Sequence, residues 1–166
     1  MINETRREIV TTNFKIYKAI ADEAHEKMVH LMEMGRRPNP EGSGRWTITR
    51  DPNMTSFKHA IISIVFTGVW LDACLHLLLV RKCGKSEFEK MKLDKPGKTY
   101  EIKLKLLGCT DEKMIADVER FREMRNSLVH EKAYFDREIT IAQNEASVAQ
   151  EMLIRIEKYF MEQCTL

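Results

Sequence analysis

Cysteine is scarce in this 166-residue sequence, and its four copies, Cys74, Cys83, Cys109 and Cys164, form no C-x-x-C pair and no regular framework. A disulfide scaffold is not expected, no zinc-type ligand spacing is present, and a reducing, intracellular setting follows as the default. Chain breakers are few as well: six of the eleven Gly and Pro residues fall between positions 35 and 52, leaving the rest of the chain free for long helices. There is no Gly-rich phosphate loop, nucleophile elbow, paired-carboxylate motif or Glu-x-x-His di-iron signature, which sets those enzyme classes aside. The N-terminus, MINETRREIV, lacks the apolar stretch of a secretory signal.

Excess charge is also missing. Lys and Arg number 27 against 25 Asp and Glu, so the formal charge is only +2, and any nucleic-acid binding must come from a local patch. With 43% hydrophobic and 31% charged residues, the length fits one domain able to build its own core. We read residues 1–166 as a single helical domain, 1–53 supplying an N-terminal helix and loop and 54–163 the bundle core. One long apolar run is present, Ala60 to Val80, and it carries Ser63, Thr67, Asp72 and His76. A lone acid in a membrane span is costly, whereas a central bundle helix tolerates one paired carboxylate. The run reads as a core helix, with no membrane partner and a cytoplasmic location.

What the sequence does have is helical periodicity. Ile9, Val10, Phe14, Tyr17, Ile20, Ala21, Ala24, Met28, Val29 and Met32 predict one amphipathic helix over 3–34, stopped by Gly35, Pro38 and Pro40. Residues 36–53 read as a loop with a short extended piece at 46–49. A second helix is predicted over 55–82, ending at Gly84. Residues 81–105 follow as a lysine-rich connection, with nine Lys/Arg against four Asp/Glu. It contains a turn at 94–97 and a short helix over 99–107, closed by Gly108. Thr110, Asp111 and Glu112 form a helix start, and a third long helix runs to about His130. After a loop over 132–139, a last helix carries the stripe Val148, Met152, Ile156, Tyr159 and Phe160. The predicted fold class is all-α: four main helices and one short one.

The third long helix carries the chemistry. Its inward stripe reads Met114, Val118, Phe121, Arg125, Leu128, so an arginine stands where a leucine is expected. A guanidinium keeps its proton, so burying it requires a carboxylate, a phosphate or a wet cleft. Asp72, the only acid in the apolar second helix, presents the mirror problem. The two either pair with each other or both face a polar cleft. Asn126 and His130 share a face four residues apart, and Arg125 can reach toward them. A positioned His exchanges protons near neutral pH, and an Arg grips phosphate and offsets charge in a phosphoryl transition state. The structural reading of the same residues is a salt-bridged core Arg and a His favoured by the helix dipole.

At Arg125-Asn126-Ser127-Leu128-Val129-His130 the sequence resembles the HEPN (higher eukaryotes and prokaryotes nucleotide-binding) domains. Their signature is Arg, four to six residues, then His, commonly with a polar residue such as Asn after the Arg. The likeness spans roughly 55–160 in architecture and is confined in letters to the motif. It implies an up-and-down bundle that forms a homodimer with both motifs lining one cleft. It also implies a metal-independent endoribonuclease without cofactors, acting in toxin–antitoxin, phage-defence or RNA-processing systems. By position, His130 would be the acid–base group, Arg125 would hold the phosphate, and Asn126 would orient His130 or the substrate. The ribose 2′-hydroxyl would attack the phosphate, leaving a 2′,3′-cyclic phosphate and a 5′-hydroxyl, so RNA and not DNA is the expected substrate. Lys82, Lys85, Lys132 and Tyr134 are candidate RNA contacts, and Phe88 or Tyr100 candidate base-stacking residues. Several toxins of the family carry a Tyr two residues after the motif His, modified by a partner nucleotidyltransferase; here that position is Lys132. An antitoxin or other protein partner is a further implication. Some members have lost catalysis, and the alternative is a non-catalytic dimeric interaction or nucleotide/RNA-binding module.

Overall fold

The computed structural model describes residues 12–38, 46–48, 53–93, 99–129 and 140–163. Among these, six helices carry the fold: α1 Phe14–Met34, α2 Thr55–Cys83, α3 Lys85–Met91, α4 Tyr100–Leu107, α5 Glu112–Val129 and α6 Thr140–Gln163. Between α1 and α2, β1 Arg36–Pro38 pairs antiparallel with β2 Trp46–Ile48, Arg37 standing opposite Thr47. The all-α class is as expected. The extended piece at 46–49 is present as β2, but its pairing with 36–38 was not foreseen. Of the first helix expected over 3–34, residues 3–11 lie outside the described residues, and Thr12 and Asn13 are not helical: the Thr12 hydroxyl accepts the Phe14 N–H at 3.3 Å where α1 begins.

The 29-residue α2 is about 43 Å long and is the axis on which the others pack. Its near-continuous apolar sequence is used on several sides: Ala60, Ile64, Trp70, Leu71, Cys74, Leu75 and Leu78 all belong to the main core. Each fully buried leucine there contributes about 1.5–3 kcal/mol of transfer free energy. This helix is long and apolar enough to cross a membrane by length and composition, and 56% of its most apolar window is buried inside the protein. Gly84 ends it at φ 84°, a left-handed conformation that favours glycine, with its N–H bonded to the Val80 carbonyl at 2.8 Å.

Against α2, α1 places Ala21, Ala24 and Met28, two of the three being small enough to let the helices approach closely. α6 adds Ala142, Ala146, Ala149, Met152, Leu153, Ile156 and Phe160. That corrects the expected stripe: Val148 is 42% exposed, and alanines, carrying little hydrophobic signal, occupy the closest approach instead. The segment over 85–91, read from sequence as connection, is helical. Phe88 and Leu93 anchor it on Leu79 and Val80, and two anchors in so short a piece give no readable period.

α4 lies along α2, held at three points three residues apart. The Tyr100 hydroxyl is 3.5 Å from the Gly68 carbonyl, Lys103 Nζ is 2.8 Å from Asp72 Oδ1, and Lys82 Nζ donates to the Leu106 carbonyl at 2.9 Å. α5 starts where expected, but its cap is Asp111 and not Thr110: Asp111 Oδ1 accepts the Met114 N–H at 2.9 Å.

One titration follows from the packing of α1 on α6. His25 Nε2 lies 3.2 Å from Ser147 Oγ, and burial lowers its pKa below 6.5 against the opposing pull of Asp22, Glu26 and Glu151. The unfolded chain therefore takes up this proton first. Stability from this group is intact above about pH 6.5 and is lost as the pH falls from there to the lower folded value. His25→Gln is expected to flatten that part of a urea-unfolding profile measured against pH. An unchanged slope would contradict it.

Candidate active site

The sequence-predicted stripe of α5 is present, with Met114, Val118 and Phe121 buried and Leu128 packed at its edge. It delivers Arg125 onto α2 at Gly68. The approach is so close that a Cβ on residue 68 would stand 2.5 Å from Arg125 Nε and 2.7 Å from its Cδ. Gly68 is the one glycine within α2, where glycine costs about 1 kcal/mol relative to alanine. The space it leaves is filled by the guanidinium stem.

Arg125 Nε is buried and has no hydrogen-bond partner among the described residues. A buried donor left unpaired costs about 1–3 kcal/mol, more when it belongs to a charged group. Asp72 does not relieve it. The pairing of Asp72 with Arg125 considered from sequence is replaced by one with Lys103, whose side chain is only 6% exposed, while that of Asp72 is 55% exposed. The physical reason is α4, which brings a buried ammonium to the carboxylate. Around them, Glu101 accepts from Arg122 Nε at 3.0 Å. Burial opposes ionisation of Glu101, yet hydrogen bonds from Thr99, its own backbone and Arg122 hold its carboxyl below the ordinary value. Burial pushes the Tyr100 phenol up; Asp72 adds to this, and Arg125 works against it.

The arrangement is a small polar seam on an apolar axis: Gly68 and Asp72 from α2, Tyr100, Glu101 and Lys103 from α4, Arg122 and Arg125 from α5. Its acids each have a cationic partner, and Arg125 is its one cation without a carboxylate among the described residues. Asn126, next in the chain, is exposed. His130, Lys132 and Tyr134 lie outside the described residues. Lys82 is exposed but tethered to the Leu106 carbonyl, and Lys85 is exposed at the start of α3. Phe88 and Tyr100 are 3% and 8% exposed, so neither offers a face for a base; Phe88 stacks on His76 at 4.4 Å instead.

Gly68, Glu101, Lys103 and Arg122 were not picked out from the sequence as parts of a site, and Tyr100 was expected there as a base-stacking residue, not as a partner of the Gly68 carbonyl. A glycine inside an otherwise apolar helix is a signal that could have flagged the first. Nothing in the sequence flags Lys103, which sits in a lysine-rich stretch. Away from this seam, and likewise unforeseen, is a groove of about 200 Å³ between α5 and α6, walled by the ion pairs Arg120 with Glu145 and Arg155 with Asp117. Burial raises the Cys74 thiol to about 12, leaving it an inert core residue. Among the described residues, no group of three or more His, Cys, Asp or Glu side chains is placed to hold a metal ion. No family model, curated protein or solved structure matches the chain.

Proposed function

We propose that the chain is a metal-independent endoribonuclease of HEPN type, cleaving RNA by attack of the ribose 2′-hydroxyl on the adjacent phosphate. The observation that carries this reading is Arg125, the first residue of the Arg-x4-His motif. It is set deep on an apolar helix, pressed against a glycine, with a buried Nε that no described carboxylate satisfies. A guanidinium so placed suits an anion supplied from outside, and a phosphodiester is the anion that its neighbours Asn126 and His130 equip the chain to cut.

In this reading Arg125 binds the phosphate and offsets the charge that builds on it, and His130 moves the proton between the 2′-hydroxyl and the leaving oxygen. Asn126 orients His130 or the substrate, and the bundle is the HEPN-like up-and-down type. A homodimer sets two motifs across one cleft, the setting is cytoplasmic, and a protein antitoxin or another partner restrains the activity. Such a role is that of a toxin or phage-defence effector.

The test is regulated expression in a bacterial host. Induced wild type is expected to arrest growth, whereas His130→Ala and Arg125→Ala, each confirmed as folded by circular dichroism, leave growth unimpaired. Loss of the acid–base group lowers the cleavage rate about 10²–10⁴-fold. Harmless wild type that binds RNA without cutting it would instead assign the chain to the non-catalytic modules of this type.

A further inference from the structure

Arg125 can hold a phosphate only while no carboxylate of its own protein holds it. α2 carries one on the face that Arg125 meets. Asp72 stands one turn along α2 from Gly68, the residue against which the Arg125 stem lies. Residues four apart on a helix have Cβ atoms about 5–6 Å from each other, so an Asp72 carboxylate that turned along the helix would come within reach of the guanidinium. Both charges act on the same buried side chain, Tyr100, whose hydroxyl is 3.5 Å from the Gly68 carbonyl. Arg and Asp are also the better match, because a guanidinium meets a carboxylate through a planar fork of donors and an ammonium does not.

Yet Asp72 Oδ1 is 2.8 Å from Lys103 Nζ, and Arg125 is left without a carboxylate among the described residues. Lys103 enforces this division. Its side chain is 6% exposed, and a buried ammonium is costly unless it is paired. Asp72, half in solvent, has no such need. Contacts at Tyr100 on one side and Leu106 on the other hold α4 along α2, so Lys103 is carried next to Asp72. The carboxylate therefore goes to the cation with the greater need of it.

We infer that Lys103 is a positioning residue that holds Asp72 off Arg125 and so keeps the guanidinium open to a phosphodiester. This rests on the reading of Arg125 as the phosphate-binding group. It gives the short α4 a function: it carries the counter-charge that prevents the site from closing on itself. It also identifies Asp72 as the internal competitor of the substrate.

The experiment uses the full chain labelled with ¹⁵N-arginine, with the Arg125 Nε–H signal assigned by its loss in Arg125→Lys. The probe is a short single-stranded 2′-O-methyl RNA, which has no free 2′-hydroxyl to attack. In wild type the probe is expected to shift the Arg125 signal. In Lys103→Met the signal is expected to have moved before any probe is added, and probe affinity to be at least about fivefold weaker. Adding Asp72→Asn to Lys103→Met should return both to wild-type values, a rescue that a purely structural role for Lys103 would not give. A double variant as defective as Lys103→Met would overturn the inference, and so would an Arg125 signal that Lys103→Met leaves in place. Asp72→Asn alone covers the case in which Lys103→Met does not fold. It should leave the Arg125 signal where it is, and a shift there would show Asp72 already on Arg125 and sink the inference. A signal that responds to the variants as described but never to the probe would uphold the division of charges while refuting RNA as the substrate.

Discussion

Gly68→Ala is expected to lower the proposed RNA cleavage about 10²–10³-fold, the loss seen when one preorganised donor to a transition state is removed, while leaving the protein as stable as wild type or more so. The two halves of this result have separate causes. A Cβ at residue 68 would stand 2.5 Å from Arg125 Nε, well inside contact distance, so something must move. Of the two parties, the backbone of α2 is fixed by packing on α1, α4 and α6, whereas the Arg125 side chain is long and flexible. The arginine gives way and leaves its seat. Alanine inside a helix is meanwhile favoured over glycine by about 1 kcal/mol, which offsets the displaced contacts. Thermal unfolding and a cleavage assay on the same preparation check both halves. Full activity in Gly68→Ala would show that the seat of Arg125 is irrelevant to catalysis.

Trp70→Ala is expected to destabilise the fold by about 3–5 kcal/mol, a large part of the roughly 5–15 kcal/mol that holds a typical domain together. Trp70 is among the largest fully buried side chains, 1% exposed, and stands in the core that α2 shares with its neighbours. Its removal leaves a cavity that flanking helices cannot close without unseating one another. Its indole Nε1, however, is buried without a hydrogen-bond partner among the described residues. Trp70→Phe keeps much of the bulk and deletes that unpaired donor, so the loss should be less than half as great. Urea unfolding of both variants checks this. Equal losses would mean that the indole N–H is satisfied in solution and that its bond, not the ring, carries the stability.

Much of this architecture was legible because it rests on signals that one sequence carries. Helical spacing placed α2, α4, α5, α6 and the end of α1 within a few residues, and Gly84 and Gly108, both at positive φ, marked helix ends as glycine should. Arg125 could be recognised because it interrupts an apolar stripe. What was not legible depends on which helix meets which. The partner of Asp72 is decided by α4 lying along α2, and no spacing rule relates position 72 to position 103. The exposed Val148 and the buried alanines of α6 follow from how closely α6 approaches α2, a distance that hydrophobicity does not encode. α3 escaped notice because its anchors, Phe88 and Leu93, lie in a segment whose charges dominate its composition.

The most direct measurement of the central claim is incubation of the purified protein with single-stranded RNA in EDTA, beside Arg125→Ala and His130→Ala, with the product ends identified by mass spectrometry. Cleavage by wild type alone, leaving 2′,3′-cyclic phosphate and 5′-hydroxyl ends, with DNA of the same sequence intact, is the predicted result. Equal cleavage by all three proteins, or 3′-hydroxyl ends in place of the cyclic phosphate, would contradict it.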